Sequence, residues 1–356
     1  MKTTPKKCHT APRPTRLWGS HKANSRGMTL VELMVALAIG LVISLAAVAA
    51  LIATRRGFAT VDAASQIRDN GRFASDLIQR IAIQTGFKDT YFAMVSASQA
   101  DKANDAAGLI AANITGFNNS IIDTTDLTTA TARTAGSIGY GSDILILRYQ
   151  TAKLNDGPTS PADGSMIDCA GNAGTAAPTD RNDRMVSVFH VSVGIDGEPT
   201  LMCSRSATGF APYYPQPIIS GVENFQVLYG VDGFGAADTA GTAFTGALDS
   251  VPQKYLRADQ IVVAGNTSSK ASYDNWRRVR SIRIGLVLRG PIGSQQEKVS
   301  QTFYPFGIAP NASGGSAGTA LSNSTSDPGT VFTPAADGRL RQVVTFTIHL
   351  RNDQSL

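Results

Sequence analysis

From Leu33 to Ala53 the chain runs for 21 residues without a charged side chain, enough as a helix to cross a hydrocarbon layer of about 30 Å. Glu32 stands at the head of this run, where a carboxylate is costly and an ionisable group is by default a functional candidate. Beyond the run, Phe58, Val61, Ala64, Ile67, Phe73, Leu77, Ile78 and Ile81 recur mostly every three or four residues, with Arg, Asp and Gln between them. That is the period of a helix with one apolar stripe. No proline occurs between Pro14 and Pro158, and Gly86 offers a left-handed stop. The pattern predicts one helix from about Thr29 to Thr85, roughly 85 Å long at 1.5 Å per residue. Gly40, Gly57 and Gly71 are the places where it could bend.

The period then changes to two. Strands are predicted at Ile144–Tyr149, Met185–Val193, Val222–Val231, Val279–Arg289 and Val343–Leu350. Ile282, Ile284, Leu286 and Leu288 alternate with Ser281, Arg283, Gly285 and Val287, which predicts a sheet with one buried face. The Phe73–Ile83 stripe of the helix is the expected cover, giving an α+β fold with an antiparallel sheet. Small, polar stretches at about 95–142, 152–180, 233–250 and 308–330 are expected to be surface loops. No internal repeat is visible.

Charge changes this picture at one end only. Residues 1–27 carry Lys2, Lys6, Lys7, Arg13, Arg16, Lys22 and Arg26 and no acid, leaving 25 basic against 27 acidic groups in the rest of the chain. A nucleic-acid footprint over the main body is disfavoured, because phosphate binding needs clustered excess cations. The run Trp276-Arg277-Arg278-Val279-Arg280 is read as the wet side of a strand. Seven cations before the apolar run against Arg55 and Arg56 after it place the N-terminus in the cytoplasm and the bulk of the chain across the membrane. With Cys8 in the basic prefix, Cys169 and Cys203 remain for the exported part, where one disulfide is favoured over two free thiols.

A secretory signal has a shorter apolar core, although Ala47-Val48-Ala49 resembles its cleavage site. A plain membrane anchor explains the length and leaves Glu32 without a role. The third reading uses every residue: Arg26-Gly27-Met28-Thr29-Leu30-Val31-Glu32-Leu33 resembles the cleavage motif of type IV prepilins and pseudopilins. The resemblance implies removal of the leader 1–27 by a membrane prepilin peptidase, cutting between Gly27 and Met28 and methylating Met28. It also implies a retained assembly helix, here 28–57, and a globular domain 58–356 that begins with the amphipathic helix 58–85. Glycine before the bond suits a narrow peptidase site because it lacks a Cβ.

Further along, Asp69-Asn70-Gly71-Arg72-Phe73-Ala74 followed by Gly86-Phe87, the strand Asp143–Tyr149, Tyr229-Gly230-Val231-Asp232, the set Trp276, Val279 and Arg280, and Leu350-Arg351-Asn352 resemble the PilW minor pilins. That implies a pilin-like fold: a long N-terminal helix, its first half transmembrane, packed on a C-terminal antiparallel sheet domain with long loops. It implies a minor subunit that assembles with other minor pilins to initiate or cap a type IV pilus. The implied partners are the prepilin peptidase, other minor pilins, the major pilin and the inner-membrane assembly platform, with a tip adhesin as a further candidate. The implied location is the inner membrane, then the pilus tip. Glu32 would be neutralised in an apolar helix bundle by the α-amine of a mature Met28, on the same chain or a neighbouring one.

Two other functions remain open at this stage. One is a J-type pseudopilin of type II secretion, which shares the N-terminal motif; the other is a membrane-tethered ligand- or DNA-binding module. An enzyme is not expected: beyond the prefix only His190 and His349 occur, both on predicted strands, and no nucleophile elbow, HExxH or phosphate loop appears. No cofactor or metal is implied. Asp232–Asp238 is read as a Gly/Asp turn rather than a Ca²⁺ loop, since it lacks a dense ligand series.

Overall fold

The computed structural model describes residues 27–89, 110–155, 160–180, 182–206, 211–307 and 327–352. The basic prefix, with Cys8, lies outside the described residues apart from Gly27. The chain divides into two units, up to Thr54 and from Arg55 onward. Helix α1, Leu30–Gln84, is continuous as predicted. Its part up to Thr54 is exposed throughout and is long and apolar enough to cross a membrane.

In the second unit α1 stops where the sequence places its stop. Gly86 takes φ +77°, and the Thr85 and Phe87 N–H groups donate to the carbonyls of Ala82 and Gln84. Asn352 Nδ2 donates to the carbonyls of Ile83 at 3.2 Å and Thr85 at 3.1 Å. The segment around Asn352 and the end of α1 are thus tied together, and helix carbonyls that would lack partners are satisfied.

The buried stripe differs from the predicted one. It consists of Ala63, Ile67, Gly71, Ala74, Ile78, Ile81 and Ala82, whereas Phe58 is 71% exposed and Phe73 55% exposed. Small residues win these positions because the helix lies close on its sheet: a Cβ on Gly71 would come within 2.7 Å of Val344 Cγ2. Phe73, two positions on, is rotated about 200° away from that face.

The domain has two antiparallel sheets where one was expected. Strands β1 (Ile114–Phe117), β4 (Ile144–Tyr149), β5 (Met185–Val193), β6 (Pro199–Ser206) and β7 (Tyr214–Ser220) form a five-stranded sheet in the order β1-β4-β5-β6-β7. Strands β8 (Val222–Asp232), β9 (Pro252–Leu256), β10 (Val279–Arg289) and β11 (Arg341–His349) form a four-stranded sheet in the order β11-β10-β8-β9. A small ribbon of β2 (Ser120–Ile122) and β3 (Ala130–Ala132) is hydrogen-bonded to neither sheet and packs Ile122 and Ala130 on β4 and β5, and α2 (Ala258–Ile261) and α3 (Lys270–Trp276) precede β10.

The chain crosses between the sheets at a single residue, Gly221, with φ +86° and its would-be Cβ 2.7 Å from the Arg289 carbonyl. A second link is Asp143, whose N–H donates to the Phe225 carbonyl at 2.7 Å while its carboxylate accepts from Val227 N–H at 2.8 Å. One apolar core joins α1 and both sheets, with Trp276 edge-on to Tyr229 at 4.7 Å between ring centres.

Two expectations about exposure are corrected. Strand β10 is buried on both faces along most of its length, because the segment around Pro305 covers the side opposite α1. A Cβ on Gly285 would meet Pro305 at 2.6 Å. The stretch 95–142 is more than surface loop in its described part, since it supplies β1 to β3 and buries Ala112, Ile114 and Leu127.

Candidate functional site

The segment singled out by its Glu is built from the helix start. Gly27 has nothing within 4 Å of a would-be Cβ, and Met28 is 65% exposed. Both precede the helix, so the Gly27–Met28 bond is accessible in unwound backbone. Thr29 is the N-cap. Glu32 N–H donates to Thr29 Oγ1 at 3.3 Å, while Thr29 N–H and Oγ1–H both donate to Glu32 Oε2, at 3.0 and 3.1 Å. This reciprocal pair is a capping box, which satisfies two donors at the helix start. Glu32 Oε1 makes no hydrogen bond among the described residues. Sequence reasoning missed this second use of the carboxylate, although Thr-x-x-Glu before an apolar run is its signature.

Cys169 and Cys203 are joined by a disulfide with Cα atoms 5.8 Å apart. It ties the loop before β5 to β6, next to an ion pair of 3.2 Å between Asp168 and Arg205. His190 is buried on β5 with Nε2 2.9 Å from Ser204 Oγ. Burial, helped by the nearby Arg133 charge, lowers its pKa to about 4. It is therefore a neutral structural imidazole at pH 7.

The Asp232–Asp238 turn spends its carboxylates on the backbone. Asp238 accepts from the N–H groups of Gly235, Thr245 and Gly246, and these donors, Gly235 foremost, bring its pKa down to about 2. Asp232 is buried, accepts from Asp249 and Ser250 N–H, and pairs with Arg280 at 3.2 Å. Oxygens already filled by N–H donors are poorly placed for Ca²⁺. The neighbouring arginines are not a wet face. Arg277 pairs with Asp274 at 2.7 Å and donates to the Ile110 carbonyl, and Arg278 donates to the carbonyls of Gly233 and Gly246. Asp274 of α3 takes Arg277, the loop after β8 takes Arg278, and Asp232 at the end of β8 takes Arg280.

With this geometry in hand, two families match. Residues 188–352 match PilW, described as type IV pilus-assembly protein W, and residues 22–48 match the prokaryotic N-terminal methylation motif. The chain is a type IV pilin-like protein, most like the PilW family. The PilW family is a structural component of pili and not an enzyme family. The methylation motif and the apolar helix behind it make this a membrane-anchored pilin, and the family makes it a minor pilin of a type IV pilus. No curated protein matches the sequence. Among solved structures, the type IV-like pilin TTHA1219 from Thermus thermophilus is similar at 12% identity, with 82% of this chain and 99% of that chain covered and a TM-score of 0.35.

The PilW-matching region also holds a charge cluster that no local motif announced. Arg289 bridges Glu198 and Glu223 at 2.5 and 2.6 Å, Arg339 reaches Glu198 at 2.9 Å, and Arg341 joins Glu223 and Asp337 at 2.6 and 2.8 Å. Glu198 belongs to the turn entering β6, whereas Glu223, Arg289 and Arg341 lie on β8, β10 and β11. The cluster therefore clasps one sheet to the other. Its members are spread over more than a hundred residues of sequence, so only the fold reveals it.

Proposed function

We propose that this PilW-like chain is made as a precursor, cut between Gly27 and Met28 and methylated on Met28. With other minor pilins it then starts or caps a type IV pilus at its tip. The observation that carries the reading is an accessible Gly27–Met28 bond in unwound backbone, followed at once by an apolar helical stretch that is exposed up to Thr54 and has one carboxylate at its head. In this reading the leader 1–27 stays cytoplasmic, 28–57 is the membrane and assembly segment, and 58–356 is carried across the membrane. The peptidase acts first; the other minor pilins, the major pilin and the assembly platform are met afterwards.

Glu32 is the docking group. As the helix leaves lipid for a bundle of helices, its charge needs a partner, and the α-amine created at Met28 is the cation the cut supplies. The capping box leaves Oε1 available while Oε2 holds Thr29, so capping and docking are compatible on one carboxylate.

Two substitutions separate these roles, because Gln can cap as Glu does but carries no charge. Glu32→Gln and Glu32→Ala are each expressed in a piliated host, and the N-terminus is read by mass spectrometry. Both variants are expected to begin at methylated Met28 and to lose co-purification with the other minor pilins. If Glu32→Gln assembles normally, the carboxylate is only a cap and the docking role is wrong. A mature chain that begins anywhere other than Met28 removes the cleavage assignment.

A further inference from the structure

Among the described residues Arg148, on β4, is a buried cation with no carboxylate partner. The residue is only 8% exposed. Its Nη1 donates to the Ala112 carbonyl at 3.1 Å and to Thr115 Oγ1 at 2.9 Å. Nε and Nη2 make no hydrogen bond among the described residues and are not sealed from solvent, and no carboxylate lies within ion-pairing distance. Arg133 provides the contrast: equally buried, it spends all three nitrogens on the carbonyls of Ser120, Ile138 and Val191. Arg148 thus holds the donors of Nε and Nη2 without a protein partner among the described residues.

Arg148 lines an open cleft of about 380 Å³, walled by Leu127, Val186 and Tyr213 and containing Arg184 as a second cation. Among the described residues of the lining Asp126 is the one acid, and its carboxylate is turned to Thr128, accepting from the N–H at 2.8 Å and the hydroxyl at 2.7 Å. A mostly apolar cleft with a few convergent polar groups is the usual form of a small-molecule site. The adjacent Nε and Nη2 of a guanidinium form the planar fork that fits a carboxylate with two parallel hydrogen bonds.

We propose that this cleft binds a small carboxylate with an apolar body, the carboxylate on Nε and Nη2 of Arg148 and the body against Leu127, Val186 and Tyr213. The site lies on the five-stranded sheet and is independent of the Met28 and Glu32 segment, so its presence or absence says nothing about pilus entry.

The test is calorimetric titration of the processed full-length chain in detergent micelles with sodium benzoate, at ionic strength matched with sodium chloride and with empty micelles subtracted. Saturable one-to-one binding is expected. Benzyl alcohol, the neutral analogue, and inorganic phosphate, which has no apolar body, are expected to bind at least about tenfold more weakly. Arg148→Lys keeps the charge but loses the fork, and is expected to weaken benzoate about tenfold. Asp126→Asn leaves Arg148 untouched and removes the like charge from the lining. It is expected to tighten benzoate severalfold, which keeps the idea testable if Arg148→Lys does not fold. Absence of saturable binding, an unchanged affinity in Asp126→Asn, an unchanged affinity in folded Arg148→Lys, or phosphate or benzyl alcohol matching benzoate would each overturn the proposal.

Discussion

One helix, α1, contains two regions of opposite character. Up to Thr54 its large aliphatic side chains are bare, with Leu41 71% exposed; from Ala63 to Ala82 its buried positions are mainly Ala, Gly and Ile. Hydrophobicity alone would have buried the first region and left the second partly wet. What decides burial inside the domain is size: Gly71 lets the helix backbone come close to Leu288 of β10 and Val344 of β11, Ala74 and Ala82 are fully buried beside it, and Ile67, Ile78 and Ile81 fill the remaining space. The first region has no such surface within its own unit. Its apolar side chains are available to lipid and to the helices of other subunits, as expected for a membrane-anchored pilin. Substitutions in the domain should therefore change folding stability, whereas those in the bare region should change insertion or assembly and leave the domain stable.

The largest effect in the domain is expected from the disulfide. Cys169→Ser with Cys203→Ser opens a loop spanning 34 residues of sequence separation, which should cost about 4 kcal/mol by the chain-entropy relation. Chemical denaturation of the processed chain under oxidising conditions checks it. Loss of less than about 1 kcal/mol would mean that the loop before β5 is held by Asp168 and its neighbours instead.

Next comes pH. His190 has its pKa depressed to about 4 in the folded chain, against about 6.5 when unfolded. Between those values the unfolded state binds more protons, so stability rises with pH and is lost as pH falls from about 6.5 to about 4. The full contribution of the group is about 3 kcal/mol. His190→Gln should flatten that part of the stability-against-pH curve, with the Ser204 contact partly retained. An unchanged curve would place the acid sensitivity elsewhere.

Much of this domain was legible in its strands and less in how they are shared out. The bounds of β4, β5 and β10 follow the sequence pattern residue for residue, because Val, Ile and Leu dominate there and turn residues bracket them. Strand β7, "YPQPIIS", was missed because its prolines suit an edge strand and read as loop. Strand β6 was hidden by its polar residues, some of them buried, such as Ser204. Period two reveals which side chains share a face but not which strand is adjacent, so one sheet was inferred where Gly221 divides two. At the N-terminus the cleavage motif was legible because it is contiguous. The Thr29 cap was equally contiguous but was masked by the membrane question. The unpaired state of Arg148 could only emerge once Ala112, Thr115 and the cleft walls were in place.

The contrast between the regions can be measured with two glycines of α1. Gly71→Leu drives a side chain into Val344 and Leu288, and overpacking of this kind costs about 2 kcal/mol, partly offset by the helix preference of Leu. Gly40→Leu meets nothing within 4 Å of its Cβ and should leave the domain's unfolding midpoint unchanged. Equal destabilisation by both would erase the distinction between the regions.

The smallest effect tests the one local bond network of the bare region. Thr29→Ala removes the hydroxyl that receives Glu32 N–H and donates to Oε2, while Thr29→Ser keeps it. Loss of an N-cap side chain is expected to speed hydrogen exchange at the first helical amides by about fivefold, read at Val31 to Leu33 in micelles, with Thr29→Ser close to wild type. Domain stability should not move in either variant, because nothing in the domain depends on this turn. If Thr29→Ala instead impairs co-purification with other minor pilins as strongly as Glu32→Gln does, then the position of the carboxylate matters as much as its charge. The cap would then be the device that holds Glu32 where a new N-terminal amine can reach it.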